Sequence, residues 1–358
     1  MATFDVLGAL PVTVDSCRFE HLRQVVATRR FERVTTLVRL GGGGHEGIGE
    51  DVSLNAPDHD GLPDADALPV GGGPRPLREW LAALTPDAMW SSPPATDTGK
   101  RSRQWAFESA ALDLALRQAG LSLAAALERE PRPVRFVASF RLGEPPTLDP
   151  VRIRLDRYPA LRLKLDPTTE WDESIFTSLA DLDVVDVVDL KGAYKGTMVD
   201  QPADPRMYER ALAAFPRSLI EDPGLTPETE PILAPHRERV SWDAPIIGAD
   251  DVRALDGRPA GINVKPSRIG SLERLCGVYD HCRAEAIPMY GGGMFELGPG
   301  RRQIQALAAL FHPDGPNDVA PSGYNEPEPP PGLPVSPLPV ALDAPGLGAE
   351  PPPGGALQ

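Results

Sequence analysis

The sequence predicts an α/β chain: a (β/α)8-type barrel preceded by a smaller α+β region and followed by a proline-rich arm. Two observations carry this prediction. From Val134 onward, short apolar segments alternate with amphipathic ones, the pattern of parallel βα units. Before that point, residues 9–54 hold strand-like runs broken by a glycine cluster, the pattern of an antiparallel meander. A length of 358 residues supplies material for two or three domains. Apolar residues at 41% and charged residues at 24% are ordinary globular values, so the many prolines and glycines read as punctuation within a folded chain. The expected division is 1–130, 131–322 and 323–358.

In chain order, residues 12–14, 33–40 and the stretch around Ile48 are the strands of the N-terminal region. The run at 42–47 fits G-x-G-x-x-G, but strand-like sequence follows it, so no helix N-terminus stands ready for a pyrophosphate. A hairpin loop is expected there, and a nicotinamide-dependent dehydrogenase has no other support. After a polar loop at 56–75, helices are expected over 76–84 and 103–128, the second carrying Trp105, Leu112 and Leu116 on one face. The eight barrel strands are expected at 134–140, 160–166, 185–190, 217–222, 244–250, 261–266, 288–292 and 318–321. Outer helices are expected at 173–182, 207–215, 271–285 and 301–311. Residues 326–358 hold 11 prolines and 5 glycines, which predicts an extended arm wrapped on other structure or a partly disordered tail.

The net charge of −15, with no basic stripe, opposes binding to nucleic acid or anionic lipid. No apolar run reaches the length of a membrane span, and the N-terminal stretch lacks a basic region followed by a long apolar core. A cytoplasmic protein with no membrane partner is therefore expected. Cys17, Cys276 and Cys282 form neither an even disulfide framework nor a metal knuckle, and a zinc site is not expected from the six histidines. Of 36 basic residues only five are lysine: Lys100, Lys164, Lys191, Lys195 and Lys265. Arginine cannot be deprotonated in a protein, whereas a lysine amine can serve as a general base, so each lysine merits attention.

Reactive groups of a (β/α)8 barrel stand at the C-terminal ends of its strands. Those ends carry Lys164 on the second expected strand, Asp189 and Lys191 on the third, and Glu221 and Asp222 on the fourth. Asp250 and Asp251 end the fifth and Lys265 the sixth. Adjacent carboxylates repel unless a cation neutralises them, and a hard oxygen-lined site suits Mg²⁺. Lys164 and Lys265, four strands apart, would face each other across the mouth and serve opposite faces of a bound substrate. Glu296 follows the seventh strand and reads equally as a substrate contact or as a cap for the helix starting near Arg301.

Several segments carry a family likeness. LIEDPG at 219–224 and INVKPSRIGSL at 262–272 resemble the metal-ligand and lysine strands of the enolase superfamily, and the lysine placement resembles its muconate-lactonising subgroup. RVTTLVRLGGGGHEGIGEDV and ESAALDLAL resemble that family's α+β capping domain, and the tail GLPVSPLPV resembles the arm that returns to it. The resemblance implies a capping domain built from the N-terminal region and the C-terminal arm. It further implies Mg²⁺ on Asp189, Glu221 and Asp250, with Lys265 as base and Lys164 as acid in α-proton removal from a small carboxylate substrate. Arg162 stands where the family's K-x-K strand has its first lysine, so it is expected to lower the pKa of Lys164 or to touch substrate. Dehydration of the o-succinylbenzoate synthase kind, epimerisation or cycloisomerisation are the outcomes implied. A homo-oligomer is compatible with this reading.

One departure opens an alternative. Where the family has D-x-N, this chain has Asp189-Leu190-Lys191, and a cation there opposes a bound metal. Lys191, itself a candidate catalytic amine, either points away or replaces the metal by pairing with Glu221 and Asp250. In the second case the chain is a metal-free barrel with a binding or structural role.

Overall fold

The computed structural model describes residues 1–26, 31–64, 67–195 and 199–348. The final residues of the expected arm, 349–358, lie outside the described residues. Strands β1 (Pro11–Val12) and β5 (Arg75–Pro76) form a small antiparallel pair. β2 (Ser16–Val26), β3 (Phe31–Gly42) and β4 (His45–Asp51) form a three-stranded antiparallel sheet. The glycine run is the hairpin between β3 and β4, with Gly42 opposite His45. β2 occupies a stretch where no strand was expected: Arg18 and Glu20 alternate outward against Cys17 and Phe19, but from Glu20 on most residues are exposed, so the strand has no clean hydropathy pattern.

The helix Asp97–Gln118 packs across this sheet. Thr96 caps it by accepting from the Gly99 N–H at 3.0 Å. Trp105, Phe107, Leu112 and Leu116 are all buried. Gly47 and Gly49 share one face of β4, and a Cβ at either would lie within 2.3 Å of helix backbone atoms of Ala106, Ala110 or Leu114. These two positions therefore need glycine, because the helix backbone rests directly on the strand.

From Ala138 the chain alternates strand and helix. The strands are β6 (Ala138–Phe140), β7 (Leu163–Leu165), β8 (Val185–Asp189), β9 (Leu219–Glu221), β10 (Val240–Trp242), β11 (Gly261–Val264) and β12 (Met289–Gly291). All neighbours are parallel and follow chain order, giving a curved half-barrel of seven strands. The expected closed eight-strand sheet is not formed among the described residues. Where the eighth strand was expected, Asn317 and Asp318 make only isolated parallel bridges to Phe136 and Gly292. The expected strand at 244–250 is also corrected: β10 lies earlier, because the apolar run Ile246-Ile247 belongs to the loop after it.

Outer helices include Asp149–Arg157, Glu173–Leu182, Pro205–Ala214, Leu272–Ala284 and Gly300–Phe311. Asp172, Asp204 and Ser271 cap the second, third and fourth of these with side-chain oxygens. The arm is pinned by backbone bonds between Val134 and Leu338. Further along, Leu347 N–H donates to Asp113 of the long N-terminal helix at 2.7 Å. The N-terminal sheet also grips the half-barrel. Arg33 on β3 donates to the carbonyls of Met294 at 2.9 Å and Phe295 at 3.2 Å. Glu50 on β4 accepts the N–H groups of Leu297, Gly298 and Gly300 at 2.7–3.0 Å. No helix among the described residues is long and apolar enough to cross a membrane.

Candidate active site

The C-terminal ends of β7 to β12 bring a dense set of buried ionisable groups together. Parallel register puts Asp189 beside Glu221 and Glu221 beside Ser241, so adjacent strand ends present their side chains at one level. Lys164 on β7 is 1% exposed and bonds Glu221, with Asp189 at 3.1 Å. Burial opposes its charge, but Glu221 and Asp189 outweigh that and hold its pKa well above the ordinary lysine value. Arg162 does not produce the expected lowering. It lies on the N-terminal side of β7, where its guanidinium holds Asp186 at 2.6–2.8 Å, and it is not brought to the mouth.

Glu221 ends β9 and accepts from Tyr290 Oη at 2.7 Å, while that hydroxyl also meets Ser241 Oγ at 2.9 Å. Burial raises the Glu221 carboxyl above the usual carboxylate range, with Asp189, Asp243 and Asp222 adding to the shift against the pull of Lys164. Asp222 sits at φ +47 and accepts the N–H groups of Asp243 and Ala244 at 2.9 and 2.8 Å. Burial, then Asp243 and Asp189, push it up to about 7. Asp189 goes the other way: burial raises it, but Lys191 and Lys164 bring it below the usual carboxylate range.

The third strand-end carboxylate is Asp243, immediately after β10, and not Asp250. Asp250 lies in the first turn of the short helix Ala249–Arg253, pairs with Arg253 and has a 97% exposed side chain. Asp243 is fully buried and receives Lys265 at 2.8 Å, Tyr194 Oη at 2.6 Å and Arg268. Against its burial, Arg268 and Lys265 hold it well below the carboxylate range. Glu296 stays within its own loop, accepting the Met294 N–H at 2.6 Å and pairing with Arg301 at 3.1 Å. Lys191 bonds Asp189 and lies 3.8 Å from Asp166, so among the described residues it neither points away nor forms an ion pair with Glu221 or Asp250.

Sequence reasoning missed Asp243, Arg268, Tyr194, Tyr290 and Asp166. A signal for Asp243 exists: it stands midway between Glu221 and Lys265, 22 residues from each, the period of one βα unit in this stretch. Asp166 and Arg268 stand two and three residues beyond Lys164 and Lys265 and Tyr290 lies on the expected seventh strand, so they were within reach of the strand-end reading, whereas Tyr194 comes from a loop with no such signature.

Asp189, Glu221 and Asp222 offer carboxylate oxygens within 4.8 Å of one another and could hold a metal ion. Their hard oxygen chemistry fits a divalent cation such as Mg²⁺. Two of the three carboxylates, Asp189 and Glu221, already face the ammonium groups of Lys164 and Lys191.

Two family descriptions match the chain. Domain of unknown function (DUF8230) C-terminal domain covers residues 130–326, and the DUF8230 N-terminal domain covers 5–126. An N-succinylamino acid racemase from Amycolatopsis is 32% identical over 68% of this chain and 72% of its own length. An o-succinylbenzoate synthase from Geobacillus kaustophilus is 29% identical over 61% of this chain, and the match spans 59% of the synthase. Among solved structures, a mandelate racemase/muconate lactonizing protein from Herpetosiphon aurantiacus superposes with a TM-score of 0.65. It is 16% identical, and 95% of this chain and 98% of that one are covered.

Proposed function

The chain belongs to the enolase superfamily, with its two halves in the DUF8230 domain families, and on that premise we propose that it is a lyase or isomerase removing the α-proton of a small carboxylate substrate. One observation carries the reading. Lys164 on β7 and Lys265 after β11 stand four strands apart, each held by a buried carboxylate at the C-terminal ends of the strands. Two amines so placed can take a proton from one face of a bound substrate and return one to the other. Lys265 is the base. Lys164, kept protonated by Glu221 and Asp189, is the acid.

Asp189, Glu221 and Asp222 are the residues that would hold Mg²⁺, whose chemistry there is to draw negative charge off the substrate carboxylate. Around that charge the chain's own groups hold the geometry: Tyr290 fixes Glu221, and Arg268 with Tyr194 fixes Asp243 and so orients Lys265. The names of the two relatives share a succinyl group, which favours a succinyl-bearing carboxylate as substrate. Dehydration of the o-succinylbenzoate synthase kind, racemisation or epimerisation, and cycloisomerisation all begin with the same α-proton step.

Proton exchange reports that step whatever the outcome. Incubated in D₂O with a panel of N-succinyl amino acids and related acids, with and without Mg²⁺, the protein is expected to exchange the α-proton of at least one of them. No exchange across the panel would contradict the proposal. It would favour the second reading, a barrel with a binding or structural role, for which the complete pairing of Lys164, Lys191 and Lys265 is the supporting observation.

A further inference from the structure

Lys191 is the one mouth lysine that the proposed proton transfer does not use, yet its setting is elaborate. Its backbone is in the left-handed region at φ +54, a conformation that a long unbranched side chain rarely adopts. That turn folds the residue back over its own strand end. Its N–H donates to Asp189 Oδ1 at 3.2 Å while its ammonium bonds Oδ2, so one residue engages both oxygens of the carboxylate. The next residue, Gly192, makes the turn feasible, since a Cβ there would lie 2.1 Å from the Gly224 nitrogen. The turn is thus wedged against the loop that follows Glu221 and Asp222.

Three further groups surround the ammonium. Asp166, after β7, faces it at 3.8 Å and also meets Arg141 at 3.4 Å. The Tyr194 ring lies 5.1 Å from Nζ, within cation–π range. Lys164 shares Asp189 at 3.1 Å. A strained backbone, a tight glycine contact, two carboxylates and an aromatic face together describe a seat built for one positive charge. That charge stands on an oxygen of the carboxylate triad that could hold a metal ion.

We propose that Lys191 is a resident cation: tethered on β8 and seated between Asp189 and Asp166, it supplies at Asp189 the positive charge that a bound divalent ion would bring, and so makes the protein bind divalent cations weakly. Asp166 is then its counter-ion, and the Tyr194 ring helps keep the ammonium in place. This inference stands apart from the proton-transfer proposal, because its readout is ion binding and not turnover.

The test is Mn²⁺ binding by calorimetry and by paramagnetic resonance of the free ion, on the full chain. The wild type is expected to show a Kd no tighter than about 1 mM, the range of weak oxygen-ligand sites. Lys191→Met removes the charge and keeps most of the volume. Lys191→Met with Asp166→Asn removes the pair together and avoids a stranded buried carboxylate. Lys191→Met is expected to bind Mn²⁺ roughly 100-fold more tightly, the size implied by deleting a unit positive charge a few ångströms away in a partly buried site, and the double variant, which loses a negative charge as well, more tightly than wild type by a smaller factor. Micromolar binding by the wild type would overturn the inference without any variant. Unchanged affinity in a variant that melts normally would overturn it as well. Loss of α-proton exchange with the predicted affinities intact would count against the proposed reaction alone.

Discussion

Asp243 and Asp250 differ by seven positions and occupy opposite environments, and a pair of substitutions exploits this. Asp250→Asn changes a 97% exposed side chain paired, among the described residues, with Arg253, so stability should move by no more than about 0.5 kcal/mol. Asp243→Asn removes the shared partner of Lys265 and Arg268, both buried. Breaking a buried pair from one side costs roughly 3–5 kcal/mol, and a large drop in the urea midpoint is expected. Equal midpoints for the two variants would show that Asp243 is not the counter-ion that holds Lys265 and Arg268 in the fold. The residues read from the sequence divide along the same line. Lys164, Asp189, Glu221 and Lys265 are legible because each ends or lies within an apolar strand run. Asp243 carries only its spacing from Glu221 and Lys265, because β10 has three residues and its inward one is Ser241, committed to Tyr290. Arg268 follows Lys265 by three residues, while Tyr194 and Tyr290 reach the site from segments distant in sequence, which no local pattern encodes.

Among the elements, the long helix Asp97–Gln118 carries a buried carboxylate with a pH signature. Glu108 receives the Leu272 N–H and the Gln104 amide, both at 2.7 Å, and so joins the helix to the start of Leu272–Ala284. Burial raises its pKa from 4.5 to about 7, against the pull of those two bonds. Between these values the folded chain holds a proton that the unfolded chain has released. Its contribution is therefore fully present below pH 4.5 and is lost as pH rises towards 7, with a total on the order of 3 kcal/mol. Glu108→Gln should remove that slope and leave the variant more stable than wild type at pH 8, as read from urea midpoints at pH 5 and 8. Parallel pH dependences would refute the assignment.

The junction between N-terminal sheet and half-barrel makes a second prediction at this scale. Glu50 satisfies three N–H groups at the start of Gly300–Phe311, and Arg33 holds the preceding carbonyls. Glu50→Ala should cost about 2 kcal/mol or more, because a helix start is left without its acceptor. Faster amide hydrogen exchange confined to 294–300 should accompany it, and unchanged exchange there would show that the clamp contributes nothing. Element boundaries were readable where caps or apolar periodicity stand in the sequence: Glu173–Leu182 coincides with its expected span. β2 escaped because most of its residues from Glu20 on are exposed, and the expected eighth strand is reduced to bridges at Asn317 and Asp318.

For the whole molecule, the sequence-level reading places lysines and carboxylates at one end of a parallel sheet, and the structure shows that end lined by neutralised pairs. The fold supplies the frame, while function rests on whether those pairs open to a substrate. Lys265 decides it. Lys265→Arg keeps the positive charge beside Asp243 and removes the amine that can accept a proton. The most direct measurement is α-proton exchange of a succinyl-bearing acid in D₂O, followed by proton NMR for wild type and Lys265→Arg, with melting temperatures recorded alongside. The account predicts exchange in the wild type, a loss of about 10²–10⁴-fold in the variant, and closely matched melting temperatures. Exchange at the wild-type rate in Lys265→Arg would contradict it and remove this lysine from the chemistry.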